Sequence, residues 1–185
     1  ENQSRRSGLI RDRVIPLRVY ISAQNGRQYV LAYCLRMKKI RVFRTDYLRS
    51  VEIGEPNDRF EELREKLDRM GQHMWGVMTR KNETCTQRVL FDIHIDDGEE
   101  YIIQRLEREK RCGTVERLDK HTLRFSADIY DPIELNPWIR SYLCRIVNLE
   151  FSDREQEARF RSDFRAMAKM YDVKMESKTD EGGTT

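Results

Sequence analysis

Leu17, Val19 and Ile21 alternate with Arg18, Tyr20 and Ser22, the period of two that marks a strand with one polar face. Asn25-Gly26 follows, a pair suited to the positive φ angles of a hairpin turn, tight or slightly longer. In the next run Tyr29, Leu31 and Tyr33 fall on one side of a strand over 28–35. In a strand over 39–45, Arg41, Phe43 and Thr45 share one side and Arg44 points the other way with Val42. A fourth strand is expected near 48–53, with Pro56 and Asn57 as the exit. Four strands of this length are expected to curl into a small SH3-like or Sm-like β-barrel.

Beyond Asn57 the period changes. Phe60, Leu63, Leu67 and Met70 repeat at helical spacing, and Asp58 with Glu61 three residues on reads as a capping box. A polar stretch, 79–84, reads as the loop into a second module. There Val89, Phe91, Ile93 and Ile95 alternate as a strand, 99–110 reads as a helix ending at Gly113, and Leu123, Phe125, Ala127 and Ile129 alternate again beside a short strand near Val115. Asp131-Pro132 opens a helix that Pro137 interrupts. Val147, Leu149 and Phe151 form a last strand, and Ser152 to Glu155 reads as a second capping box before a final helix bearing Phe160, Phe164, Met167 and Ala168. The expected class is therefore α+β: a barrel, then a ferredoxin-like α/β sandwich of order β-α-β-β-α-β-α. The organisation expected is an N-terminal arm over 1–13, the barrel over 14–55, a connecting helix and linker over 56–84, the sandwich over 85–175 and a tail over 176–185.

Charge sharpens this picture. The net charge of the 185 residues is only +3, yet residues 1–55 hold 12 Lys and Arg against 5 Asp and Glu, a local +7 that leaves −4 on the rest. The positive field belongs to the first module, where tyrosines are interleaved with the basic residues. Arginine matches phosphate oxygens in a two-pronged way and aromatic faces stack on bases, so the combination suits a phosphate-bearing ligand. An ordinary small sheet with solvated basic side chains has the same pattern, and arginines 5, 6, 11 and 13 can equally belong to a disordered arm.

A resemblance weighs on this choice. Ile15-Pro16-Leu17-Arg18-Val19-Tyr20, the turn Asn25-Gly26-Arg27, Gln28-Tyr29-Val30-Leu31-Ala32-Tyr33, and the run from Arg41-Val42-Phe43-Arg44-Thr45-Asp46 to Tyr47-Leu48-Arg49-Ser50-Val51 resemble a WYL domain. The tripeptide that names the family stands here as Gln28-Tyr29-Val30, and Tyr47 occupies a place where the family usually has arginine. Downstream, Arg105-Leu106-Glu107-Arg108-Glu109-Lys110-Arg111-Cys112-Gly113 and Glu134-Leu135-Asn136-Pro137-Trp138-Ile139-Arg140-Ser141-Tyr142 resemble the extension that follows WYL domains in many bacterial regulators. The resemblance implies a cytoplasmic regulatory fragment that senses a nucleotide or single-stranded nucleic acid. It also implies that DNA is read by an upstream winged helix-turn-helix, expected to have been excised from a chain that starts at Glu1.

On this reading the expected ligand site comprises Tyr20, Ser22, Tyr29, Tyr33, Arg36, Lys38, Lys39, Arg41 and Arg44. Tyr20 and Ser22 would hydrogen-bond ligand oxygens, Arg41 and Arg44 would neutralise phosphates, and Tyr29 or Tyr33 would stack or support the arginines. Tyr29 and Tyr33 also share a face with Leu31, so a core role stays open for both. Trp75 and Trp138 can each serve as a stacking platform for a base; Trp138, among Ile133, Ile139, Tyr142 and Leu143, reads rather as a core anchor, and Trp75 as a stacking or an interface ring.

Catalysis finds little support. His73, His94 and His121 fall in different elements and in no nucleophile or metal-ligand motif. Asp96-Asp97 and Glu99-Glu100 read as helix-start charge rather than a cation site. The four cysteines form no CxxC pair, which points to reduced thiols rather than zinc or disulfides. No apolar run is long enough to span a bilayer. No enzyme activity, cofactor or metal is expected. A homodimer is, built through the helix over 60–70, Trp75 and the extension. The alternative function is a structural dimerisation module without a small ligand, orienting an upstream DNA-binding domain.

Overall fold

Strands form where the alternation places them: β1 (Val14–Ile21), β2 (Gln28–Cys34) and β3 (Lys39–Arg44). They are seen in a computed structural model that describes residues 11–22, 25–77 and 85–173. Most of the expected arm, the 79–84 loop and the tail beyond 173 lie outside the described residues. The sheet is antiparallel in the order β1-β2-β3. Its register shifts between Pro16 and Arg18, so Ile15 and Leu17 both bury their side chains before Arg18 takes its place opposite Leu31. Pro16, which has no N–H to give a ladder, sits at this irregularity on an edge strand.

The barrel does not close. Residues 48–53 carry no strand, and Val51 and Ile53 are 75% and 99% exposed. After β3 the chain turns off the ladder into a 3-10 turn, Thr45–Tyr47. Arg44 binding Asp46 and the Thr45 hydroxyl donating to the Gln28 carbonyl hold that turn. The face that a closing strand would have sheltered is covered instead by α1 (Phe60–Gly71).

That helix buries Leu63, Leu67 and Met70 against Ile15, Leu17, Leu31, Tyr33 and Ile40. At about 1.5–3 kcal/mol per buried aliphatic side chain, this packing is the main stabilisation of the first module. The capping box over Asp58 and Glu61 does not form. Asn57 does the capping one residue earlier, its side-chain oxygen accepting from Arg59 N and its carbonyl from Phe60 N. The helix runs along the sheet with Arg59 over the Tyr33 ring at one end and Asp68 paired with Arg18 at 2.6 Å towards the other.

Consecutive residues then enter two different cores. Met74 packs with the first module, and Trp75 packs among Phe91, Phe125 and Trp138 of the second. In return Tyr130 of the second module joins the first core, and its N–H donates to the His73 carbonyl at 3.0 Å.

The second module contains β4 (Gln87–His94), α2 (Glu100–Glu109), β5 (Thr114–Arg117), β6 (Thr122–Ile129), α3 (Asn136–Arg140), β7 (Ile146–Phe151) and α4 (Arg154–Met170). Its sheet is antiparallel in the order β5-β6-β4-β7. Val89, Phe91, Ile93, Leu123, Phe125, Leu149 and Phe151 meet Ile102, Leu106, Leu135, Ile139, Tyr142 and Phe160 in one core. Asp131 caps a 3-10 turn, Pro132–Leu135, and Pro137 at the start of α3 leaves that helix five residues long. Asp153, not Ser152, caps α4, because the Ser152 hydroxyl is turned back to accept from Arg88 N.

Candidate functional site

Register across the first sheet sorts the candidate residues. Tyr20 lies opposite Tyr29, and Tyr29 lies opposite Arg44, so the three make one row across three strands. Arg18, Leu31 and Val42 form the next row on the same face, and Ile15, Tyr33 and Ile40 the one beyond. Helix α1 covers these inner rows and leaves Tyr20, Tyr29 and Arg44 at the margin of the face, half-buried.

The row is polar and polarised. An Nη of Arg18 reaches the Tyr20 hydroxyl at 3.4 Å, and the guanidinium carbon lies 5.9 Å from that ring. The Asn25 amide donates to the Tyr29 hydroxyl at 3.5 Å. Arg44 binds Asp46 through Nε at 3.1 Å and stacks 4.2 Å from the centroid of the Tyr47 ring. The hydrogen bond from Arg44 holds the Asp46 carboxyl below its usual range and raises the guanidinium in return. Tyr47, where the sequence departs from the WYL pattern, is thus a platform for Arg44.

The other candidates lie elsewhere. Tyr33 is buried beneath α1, with Arg59 5.4 Å from its ring centroid, and belongs to the core. Arg36 and Lys38 occupy the turn between β2 and β3, where Lys38 adopts φ +52°. Lys39 and Arg41 project from the opposite face of the sheet. Arg36 and Arg41 converge there on Asp12, at 2.7 and 3.4 Å. The Arg36 hydrogen bond is the main reason that the Asp12 carboxyl lies below its ordinary range. The structure therefore gathers Tyr20, Ser22, Tyr29 and Arg44 at one margin and sets Arg36, Lys38, Lys39 and Arg41 apart from them.

Ser22 enters through a cavity of about 180 Å³ that begins at Tyr20. Its walls are Tyr20, Ile21 and Ser22 from the first module, residues 71 and 74–77 from the connector, and Arg111 and Glu134 from the second module. Arg111 donates to the Trp75 carbonyl at 2.9 Å, and Glu134 accepts from the backbone N–H groups of Gly76 and Val77 at 3.0 and 3.1 Å. Arg111 and Glu134 escaped sequence reasoning as site residues, since the only signal was their place inside the two downstream stretches that resemble the extension. Trp75 is not free to mark an interface: it is buried in the second core, just as the apolar stripe of α1 is spent on the first.

The second module holds two further polar clusters. Glu109 accepts from the Trp138 Nε1–H at 3.0 Å and from Arg105 Nε at 3.1 Å. Burial pushes this carboxyl up, and those hydrogen bonds outweigh it, so the net shift is downward. On the outer face of the sheet Asp92 takes both arms of Arg124, at 2.7 and 2.8 Å. Among the described residues no helix is long and apolar enough to cross a membrane.

Two comparisons bear on identity. No curated protein matches the chain. The family model of the WYL domain matches residues 2–53, the span that carries β1, β2, β3 and the Tyr20–Tyr29–Arg44 row. WYL domains are generally regulatory, ligand-sensing domains, and over this span the chain carries one.

Proposed function

We propose that this chain is the ligand-sensing part of a bacterial transcriptional regulator and binds a nucleotide or single-stranded nucleic acid at the margin formed by Tyr20, Ser22, Tyr29 and Arg44. One observation carries the reading: two tyrosines and an arginine stand in register across three strands, beside a hydroxyl and a cavity. An arginine set over a tyrosine ring can offer phosphate oxygens the donors that its carboxylate partner does not take, and tyrosine faces can stack on unpaired bases that a duplex keeps hidden. Asp46 and Asp68 pair with Arg44 and Arg18, so a ligand phosphate at this margin would compete with those carboxylates. In this reading the protein is cytoplasmic, DNA is read by a separate upstream domain, and the second module, with its helices on one face of a β5-β6-β4-β7 sheet, is ferredoxin-like.

The dimerisation reading has its own support. On the face opposite the Tyr20–Tyr29–Arg44 row the sheet exposes Val19, at 61%, in register with Val30 and Phe43. Fluorescence anisotropy separates the two. Ligand sensing predicts that a short labelled single strand binds at least about tenfold tighter than its duplex at moderate salt, with an affinity that falls as salt rises. Equal and weak binding to both would leave the dimerisation module.

A further inference from the structure

Two consecutive backbone N–H groups, those of Gly76 and Val77, point at the two oxygens of one carboxylate, Glu134, at 3.0 and 3.1 Å. Adjacent amides converging on one group form the kind of concavity that holds anions in proteins. The fit is tight. A Cβ at position 76 would lie 2.3 Å from Glu134 Oε1, so glycine is what lets the carboxylate seat there. Beside the seat the Arg111 guanidinium donates to the Trp75 carbonyl at 2.9 Å, and across the cavity stand Tyr20 and Ser22. At about 180 Å³ the space has room for several waters, hence for one phosphate-sized group.

We propose that the Gly76–Val77 amide pair with Arg111 is a phosphate seat that Glu134 occupies from within, and that a phosphate of the bound ligand enters by displacing the Glu134 carboxylate. This rests on the reading of Tyr20 and Ser22 as ligand contacts and adds the regulation of that site. The exchange is of one anion for another, so the two N–H donors keep an acceptor throughout, while Arg111, bound to the Trp75 carbonyl, contributes positive charge beside them. Glu134 lies within the Asp131-capped turn of the second module, while Gly76 and Val77 follow the helix that packs on the first. Displacement therefore releases a link between the modules, and ligand binding is coupled to their relative freedom.

Inorganic phosphate and a short single-stranded oligonucleotide are the probes, titrated into the intact chain and its Glu134→Gln and Glu134→Ala variants by calorimetry. Loss of a resident charged acceptor predicts phosphate binding about tenfold tighter in both variants. In the parent, the amide resonances of Gly76 and Val77 should shift on phosphate titration, a readout that does not depend on the variants folding. Unchanged or weaker phosphate binding in folded variants, or Gly76 and Val77 amides that stay fixed while phosphate binds, overturns the seat. If the parent binds the oligonucleotide but neither test responds, the seat falls and the ligand margin stands. If the variants gain phosphate while no chain binds the oligonucleotide, the seat stands and the nucleic-acid reading falls.

Discussion

Arg44 lies with its guanidinium carbon 4.2 Å from the centroid of the Tyr47 ring, three residues further along the chain. The 3-10 turn that follows β3 brings the ring back under the guanidinium, and Asp46 fixes the plane from the side. Arg41 has the opposite setting: it stands on the other face, paired with Asp12 and 5.2 Å from the Phe43 ring. Alanine substitutions at the two sites should therefore differ. Arg44→Ala should weaken single-strand binding about tenfold and lower the salt slope by about one, as expected for one lost charged contact. Arg41→Ala should leave affinity within about twofold at matched salt. Anisotropy titrations at several salt concentrations check this, and equal losses would move the site away from the row.

The Glu99–Arg145 pair gives the second prediction. Arg145 grips both carboxylate oxygens, and Asp96 N donates to the same group, which brings the Glu99 pKa down to about 2 from an ordinary 4.5. A lowered folded-state pKa contributes stability at pH values above the ordinary one, and that contribution fades as pH falls from 4.5 towards 2. Comparison of the parent with Arg145→Leu isolates the pair from the other carboxylates. The difference in Tm should be largest above pH 5 and shrink steadily towards pH 2, and carboxyl NMR should show Glu99 titrating nearer its ordinary value in the variant. A gap that stays constant over this range would mean that Arg145 acts through packing alone.

Glycines 98 and 113 make a matched pair. Both adopt positive φ, +89° and +83°. Nothing lies within 4 Å of a Cβ built on Gly98, whereas one on Gly113 would meet the Ser126 carbonyl at 2.5 Å and Ala127 Cβ at 2.7 Å. Gly98→Ala should cost only the left-handed backbone penalty of about 1–2 kcal/mol. Gly113→Ala adds a clash with the β6 backbone, and a total on the order of 3 kcal/mol or more is expected. Urea denaturation of both variants gives the comparison, and equal costs would show that the β5–β6 hairpin yields to the extra carbon.

How legible this was from the sequence depends on the range of the contacts. Strand parity is a local property, so the placing of Tyr29, Leu31 and Tyr33 on one face, and of Arg41 and Arg44 on opposite faces, could be read directly. What covers a face is not local. Tyr33 became core because α1, some thirty residues on, lies over it, and the period that suggested a strand near 48–53 could not say that the chain turns off the ladder after Arg44. The Asp12 cluster was invisible because nothing in the period of β2 or β3 says that an acidic residue before β1 returns to Arg36 and Arg41. Arg111 and Glu134 reach the connector across 36 and 58 positions, with only turn residues between to hint at the approach. Trp75 looked like an interface ring because its neighbours His73 and Gly76 are polar or small, yet its partners Phe125 and Trp138 come from β6 and α3, far along the chain.

Trp75 also carries the last prediction. The step from Met74 to Trp75 takes the chain from one core into the other, and the Trp75 ring meets Trp138 at 4.7 Å and Phe125 at 6.1 Å between centroids. Trp75→Ala removes a fully packed ring, at a cost of about 3–5 kcal/mol. That loss falls on the second module, while the first keeps Met74 and the stripe of α1. The parent, with Met74, Trp75 and Tyr130 interlocking its two cores, should unfold in one transition, with far-UV circular dichroism and the fluorescence of its two tryptophans coincident on heating. In Trp75→Ala the fluorescence transition should move to lower temperature and separate from the remaining dichroism change, since the first module no longer shares the same anchor. Coincident transitions at a lowered Tm would show instead that Tyr130, through the His73 carbonyl and the first core, is enough by itself to keep the two modules unfolding as one.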